Sequence, residues 1–229
     1  MDTVTVGMLA FAEMQLLDFI GPYDFFTSAP EIDAIVIGPT AQTFEVGAGM
    51  SITPHYGAVD APAVDVLFVP GGTGINDLLV DDCILDYLAR AGERAQFVTS
   101  VCTGSLVLGA AGLLRGYHAA THWRYMDLLP LVGAEPVDER VVSDGNRITA
   151  GGVTAGIDFA LVVLAALRGE ATAKVAQLVL QYDPAPPCHA GHPRSADPAA
   201  VADYRQETAA NYERRERLIR AAFTRRVSL

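Results

Sequence analysis

Four short runs rich in β-branched and apolar residues punctuate the first hundred positions: Val4 to Leu9, Ala34 to Ile37, Val64 to Val69 and Gln96 to Thr99. Runs of this length and content read as buried strands. Between them the spacing of apolar positions changes to that of a helix. Leu16 to Thr27 is one such segment, with Pro22 placed in its first turn, and Ile75 to Ala95 carries Leu78, Leu79, Ile84, Leu85 and Leu88 on one side. Strand and helix in alternation predict an α/β fold, a mostly parallel sheet with helices on both faces.

The second half changes character. Glu135 to Thr149 alternates apolar and polar residues around Ser143-Asp144-Gly145-Asn146, the signature of a hairpin. Two Ala- and Leu-rich helices are predicted next, Thr154 to Leu167 with Thr154 as N-cap, and Ala171 to Tyr182. Asp183-Pro184-Ala185-Pro186-Pro187 then stops the helix and opens a loop that runs to Pro198. From Pro198 to Arg226 the chain reads as one long helix dense in Arg and Glu, suited to a solvated face or to packing on a partner subunit.

Bulk properties narrow the partners. With 229 residues, 51% of them hydrophobic, the chain can bury a substantial core. A net charge of -11 argues against nucleic acid and against an anionic membrane surface, both of which require a basic footprint. The three cysteines, Cys83, Cys102 and Cys188, form no close pair, which suits a reducing compartment. Met1-Asp2 leads straight into the first strand without a leader pattern, and the apolar run from Val101 to Leu114 is too short to span a bilayer. A cytoplasmic protein is expected, with no membrane anchor.

The chemistry centres on Ser100-Val101-Cys102-Thr103-Gly104, where the fourth strand turns into a helix predicted from Gly104 to Leu114. Small residues two before and two after Cys102 fit a tight strand-turn-helix elbow. At the start of a helix, unpaired N–H groups and the macrodipole favour the thiolate, which makes Cys102 a candidate nucleophile; the alternative is a buried packing cysteine.

Pro70-Gly71-Gly72-Thr73-Gly74, at the end of the third strand, matches neither a dinucleotide fingerprint nor a Walker A loop. Its Gly72 amide and that of Thr103 are candidates for an anion-stabilising pair, or the glycines simply make the turn. Asp18, in Leu16-Leu17-Asp18-Phe19-Ile20-Gly21-Pro22, sits among apolar neighbours that would raise its pKa. It is the acid/base candidate, with helix capping as the competing role. Of the five histidines, His122 in Thr121-His122-Trp123 is placed to approach the site or to serve as a structural residue. Gly152 and Val153, in Gly151-Gly152-Val153-Thr154, would wall the thiol, and Phe19, Ile20 and Trp123 are candidates to contact an apolar substrate group. Cys188, His189 and His192 lack a fourth ligand for a metal centre, and no metal is assigned.

Taken together, Val101-Cys102-Thr103-Gly104-Ser105-Leu106, the Pro70–Gly74 loop, Thr121-His122-Trp123 and Gly151-Gly152-Val153-Thr154-Ala155-Gly156-Ile157-Asp158 resemble the ThiJ/PfpI superfamily. Within it, the Leu-Asp-x-x-Gly-Pro setting of Asp18 resembles the isocyanide hydratase family. The resemblance covers essentially the whole chain. It implies a flavodoxin-like α/β sandwich, one domain over 1–229 with a C-terminal helical extension at about 198–226, a homodimer and no cofactor. It also implies a small-molecule isocyanide as substrate, Cys102 as nucleophile, Asp18 as general acid and base, and Thr103 as a neighbour shaping the site. Thr103 stands where protease-like members carry His, which weakens a peptidase reading. A thiol-dependent glyoxalase is the runner-up. A ligand-sensing domain of a helix-turn-helix regulator is the rival from another class, disfavoured by the acidic charge and by the roughly 30 residues after the proline loop.

Overall fold

The structure, a computed structural model, describes residues 2–47 and 49–227; Met1, where the expected domain begins, Ala48, Ser228 and Leu229 lie outside the described residues. In chain order the first half comprises β1 (Val4–Leu9), α1 (Leu16–Ser28), β2 (Ile32–Gly38), β3 (Phe44–Gly47), β4 (Met50–Ile52), β5 (Tyr56–Gly57), β6 (Val66–Val69), α2 (Ile75–Leu78), α3 (Asp82–Arg94) and β7 (Phe97–Val101). The second half comprises α4 (Gly104–Ala110), β8 (His118–Ala119), a 3₁₀-helix (Trp123–Val132), β9 (Glu135–Pro136), β10 (Val141–Asp144), β11 (Arg147–Ala150), α5 (Ala155–Arg168), α6 (Glu170–Val179), α7 (Pro198–Glu207) and α8 (Ala209–Val227).

Seven strands form the central sheet in the order β10-β11-β7-β6-β1-β2-β5. Every neighbouring pair is parallel except the β10–β11 hairpin, which turns back along one edge. The chain goes from β1 to β2 on one side and then crosses to β6 and β7 on the other. That reversal opens a crevice beyond the carboxyl ends of β1, β6 and β7, where open α/β sheets bind ligands. Three segments leave the sheet there: the lead into α1, the loop after β6 and the turn after β7. All four residues of β6 and the last four of β1 are buried, as a sheet covered on both faces requires.

Several elements depart from the sequence pattern for identifiable reasons. The segment Ile75 to Ala95 divides into α2 and α3, because Asp81 takes an extended conformation and caps the second helix by accepting from the Ile84 N–H at 3.1 Å. Pro22 lies inside α1, beyond its first turn, and leaves the Asp18 carbonyl without its helical donor. The expected single helix from Pro198 to Arg226 breaks at Thr208, whose hydroxyl bonds back to the Tyr204 carbonyl at 2.7 Å. Thr154 stands at the N-cap of α5, yet its side chain makes no capping bond. The short strands β3, β4 and β5 and the 3₁₀-helix carry too little periodicity to be read in advance, whereas β8 falls in the strand-like run that ends at His122.

Candidate active site

Cys102 occupies the turn between β7 and α4 with φ +56°, the left-handed region that residues bearing a Cβ avoid, at a cost of about 1–3 kcal/mol. Surrounding hydrogen bonds fix it there. Its N–H donates to the Ala150 carbonyl at 3.0 Å, and its own carbonyl accepts from the Thr121 hydroxyl at 2.9 Å and the Ser105 hydroxyl at 3.2 Å. The small residue two positions on is essential, since a Cβ on Gly104 would lie 2.1 Å from the Val69 carbonyl oxygen. The elbow expected from the sequence is therefore present.

Asp18 reaches the same place from the first turn of α1 and is completely buried. Capping is not its role, because Gln15 holds the N-cap position. Instead Oδ2 accepts from the Gly71 N–H at 2.9 Å, while Oδ1 has no hydrogen-bond partner of good geometry. Burial pushes the carboxyl from its ordinary 3.8 up to about 7, against the pull of the Gly71 N–H and the neighbouring Cys102 thiol. For Cys102 itself, burial and then the Asp18 charge hold the thiol well above its usual range, opposed by the Thr103 amide and hydroxyl and by Arg215. The thiolate favoured by a helix N-terminus is thus not the resting form. The α4 helix has only seven residues, and its field is outweighed by desolvation.

The loop after β6 joins these two residues. Gln15 N–H donates to the Gly71 carbonyl at 2.8 Å, which docks the lead into α1 against the loop. A Cβ on Gly71 would meet Thr103 N at 2.6 Å and Cys102 Cβ at 2.9 Å, so this contact admits only glycine. The expected anion-stabilising pair needs revision. The Gly72 N–H is already committed to Thr103 Oγ1 at 3.2 Å.

A pocket of about 140 Å³ opens on Cys102, lined also by Thr103, Gly72, Thr73, Gln15, His122, Tyr125, Val153, Tyr204, Asn211 and Arg215. His122 is brought in as predicted, but burial, reinforced by Arg215 and Arg124, drops its pKa from 6.5 to about 4. It is neutral at pH 7, and its Nδ1 accepts from the Arg124 N–H at 3.3 Å. Trp123 and Gly152 line a neighbouring cavity of about 490 Å³, which shares His122 and Val153 with the first. Phe19 is buried in the core and Ile20 is exposed, so neither lines the pocket. The lining mixes the polar Gln15, Thr73, Asn211 and Arg215 with the rings of Tyr125 and Tyr204 and with Val153. His192 in the proline-rich loop bonds Asp138 at 3.2 Å, and among the described residues no His, Cys, Asp or Glu cluster is arranged to hold a metal.

Sequence reasoning missed the contribution of the tail. Arg215, on α8, is 2% exposed and donates Nε to Asn76 Oδ1 at 3.1 Å and Nη2 to the Gly72 carbonyl at 3.0 Å. Its guanidinium lies over the Tyr125 ring, 4.3 Å from the centroid. Asn76 in turn donates to Asn211, which donates to the Tyr125 hydroxyl at 3.2 Å. A charge-rich helix gives no sign that one of its arginines turns inward.

The architecture and the elbow define the class: an α/β protein presenting a buried cysteine at the carboxyl edge of a parallel sheet, beside a carboxyl group. The chain belongs to the DJ-1/PfpI family, whose profile matches residues 4–166. It is 47% identical over 205 residues, 90% of each chain, to an isonitrile hydratase of Pseudomonas putida. Among solved structures, a ThiJ/PfpI family protein from Pseudomonas syringae superposes with a TM-score of 0.92 and 38% identity, covering 96% of this chain and 91% of that one. The regulator GbdR of Pseudomonas aeruginosa, an HTH-type transcriptional regulator, is 36% identical over 140 residues, which span 58% of this chain and 36% of the regulator.

Proposed function

We propose that this chain hydrates organic isocyanides, R–NC, to N-substituted formamides, with Cys102 as nucleophile and Asp18 as general acid and base. The observation that carries this reading is the buried pair itself: the Cys102 thiol opens on the pocket, and the Asp18 carboxyl, completely buried and held by the Gly71 N–H, lies against it behind the pocket wall. The extent of the likeness to the Pseudomonas putida isonitrile hydratase supports it.

The pair holds one proton in its reactive state. Transfer of that proton from sulfur to Asp18 creates the nucleophile at the moment of use. The Cys102 sulfur bonds to the terminal isocyanide carbon, and Asp18 delivers the proton to the same carbon, giving an S-bound thioimidate, R–N=CH–S. Asp18, again ionised, takes a proton from water as the oxygen attacks that carbon. Asp18 passes that proton to the nitrogen, the C–S bond breaks as the proton of the added hydroxyl passes to sulfur, and R–NH–CHO leaves. The sum is R–NC plus water to the formamide, with the protein unchanged and no cofactor called for. Thr103, whose amide and hydroxyl both act on the sulfur, eases the negative charge that forms there.

Turnover of a small alkyl isocyanide tests the reading, together with mass spectrometry for an adduct on the peptide carrying Cys102. Cys102→Ala is expected to abolish both. Undiminished hydration in that variant, or turnover of methylglyoxal in place of isocyanides, would overturn it. A cytoplasmic, single-domain homodimer belongs to the same proposal. Val175, Leu178 and Val179, exposed on α6, offer apolar surface for a second copy, and molar mass by light scattering checks it. Among the described residues no helix is long and apolar enough to cross a membrane.

A further inference from the structure

We propose that Arg215 is a positioning residue of the Cys102 site, clamping the Gly71–Gly72 turn from the C-terminal helix and supplying the fixed positive charge of the pocket. The inference rests on the reading of Cys102 as the nucleophile, and not on which electrophile it attacks.

The geometry is that of a keystone between three segments. Arg215 Nη2 holds the Gly72 carbonyl. The N–H of the same glycine holds Thr103 Oγ1, and the N–H of the preceding glycine holds Asp18. One guanidinium thereby fixes the turn through which both the elbow and the acid/base residue are placed. Its second hydrogen bond, to Asn76 at the start of the segment following the turn, makes the grip two-pronged, which a planar fork achieves and an ammonium does not.

The charge is equally unusual. A buried guanidinium is expensive to desolvate and is ordinarily neutralised by a carboxylate. Among the described residues the acidic groups acting on Arg215 are Tyr125, Cys102 and Tyr204, with no carboxylate among them. The carbonyl of Gly72, the amide oxygen of Asn76 and the Tyr125 face solvate it in the ground state. Its positive field is consequently left to act on the pocket, where Cys102 becomes anionic on the way to attack. Around the sulfur the titratable groups are Asp18 from α1, His122 at the N-cap of the 3₁₀-helix and Tyr125 within it, Tyr204 from α7 and Arg215 from α8. Arg215 is the cation among those lining the pocket, His122 being neutral at pH 7.

Two substitutions separate charge from clamp. Arg215→Gln keeps a donor for the Gly72 carbonyl and removes the charge, whereas Arg215→Lys keeps the charge and loses the fork. The probe is iodoacetamide, a neutral alkylating agent, whose rate of reaction with Cys102 is followed by mass spectrometry from pH 6 to 10. Arg215→Gln is expected to move the alkylation profile upward by about one unit, slowing the reaction about tenfold below the inflection. Arg215→Lys is expected to leave the alkylation rate below the inflection unchanged and lower kcat for the isocyanide at least tenfold, with KM changed much less. Alkylation of Cys102 does not require that isocyanides be substrates, so failure of the functional reading leaves this arm intact. An alkylation profile for Arg215→Gln that coincides with the wild type would overturn the charge role. Wild-type kcat in Arg215→Lys would overturn the clamp. If Gln fails to fold, the same comparison is made with Arg215→Met, a shape-matched neutral side chain, and coincidence of its profile with the wild type is equally fatal.

Discussion

Replacing Asp18 by asparagine is expected to make the protein more stable and, at the same time, inactive. The carboxyl is fully buried, and its pKa rises from 3.8 to about 7. About three units at about 1.4 kcal/mol each give roughly 4 kcal/mol of destabilisation carried by the ionised form in the folded chain. Below pH 3.8 folded and unfolded chains both hold the proton, so the group contributes no difference. Between about 4 and 7 the folded chain keeps a proton that the unfolded chain has lost, and stability falls as pH rises. Above about 7 the whole penalty is present. Asparagine removes it while keeping an oxygen to accept the Gly71 N–H. Its added NH₂ needs a partner beside the thiol, so about 4 kcal/mol is an upper bound, with a gain of about 1–4 kcal/mol expected at pH 8. Urea unfolding at pH 4, 5, 6, 7 and 8 measures it: the two proteins should be close at pH 4 and diverge by pH 8, at equal slope. A stability gap that is the same at pH 4 and pH 8, or an asparagine variant that is the weaker protein at pH 8, would refute the reasoning.

In the proposed mechanism the same carboxyl sets the acid limb of activity. Protonating Asp18 leaves the Cys102 proton no place to go, so kcat/KM for isocyanide hydration should fall tenfold per unit below about pH 7, and a profile flat from pH 5 to 8 contradicts this. Gly71→Ala drives a Cβ to 2.6 Å from the Thr103 nitrogen, a backbone atom that cannot swing aside; a loss of about 1–3 kcal/mol in urea unfolding and at least tenfold in turnover is expected. Leu178→Glu on the exposed face of α6 should halve the molar mass measured by light scattering while leaving the far-ultraviolet circular dichroism unchanged; an unaltered mass would place the proposed dimer contact elsewhere.

The sheet was legible because its strands are continuous apolar runs, and their order of appearance left few ways to arrange a parallel α/β core. Cys102 was legible because a tight turn needs small neighbours, a requirement that Gly104 meets against the Val69 carbonyl. Asp18 was legible by its apolar neighbours in sequence, which foretell burial, although what its carboxyl meets there is the Gly71 N–H and the Cys102 thiol. The protonation state of the thiol was not, since it depends on a carboxyl 84 positions earlier in the chain, 102 minus 18, and on how completely water is excluded. Nor was Arg215, because hydrophobic periodicity identifies apolar residues that face inward and carries no signal for a charged one. Trp123 and Gly152 were assigned by adjacency to residues that do line the pocket, and their side of the backbone faces the next cavity.

The bond between Gly72 and Arg215 joins residues 143 positions apart. A growing polypeptide emerges with its amino-terminal portion first, and the sheet strands are all made by Ala150. Cys102 and its carboxyl neighbour are therefore synthesised well before the arginine. On the proposed role of Arg215, chemistry at this centre waits until synthesis has passed that arginine, and a product cut short before it, however well it folds, carries a sulfur without its cation.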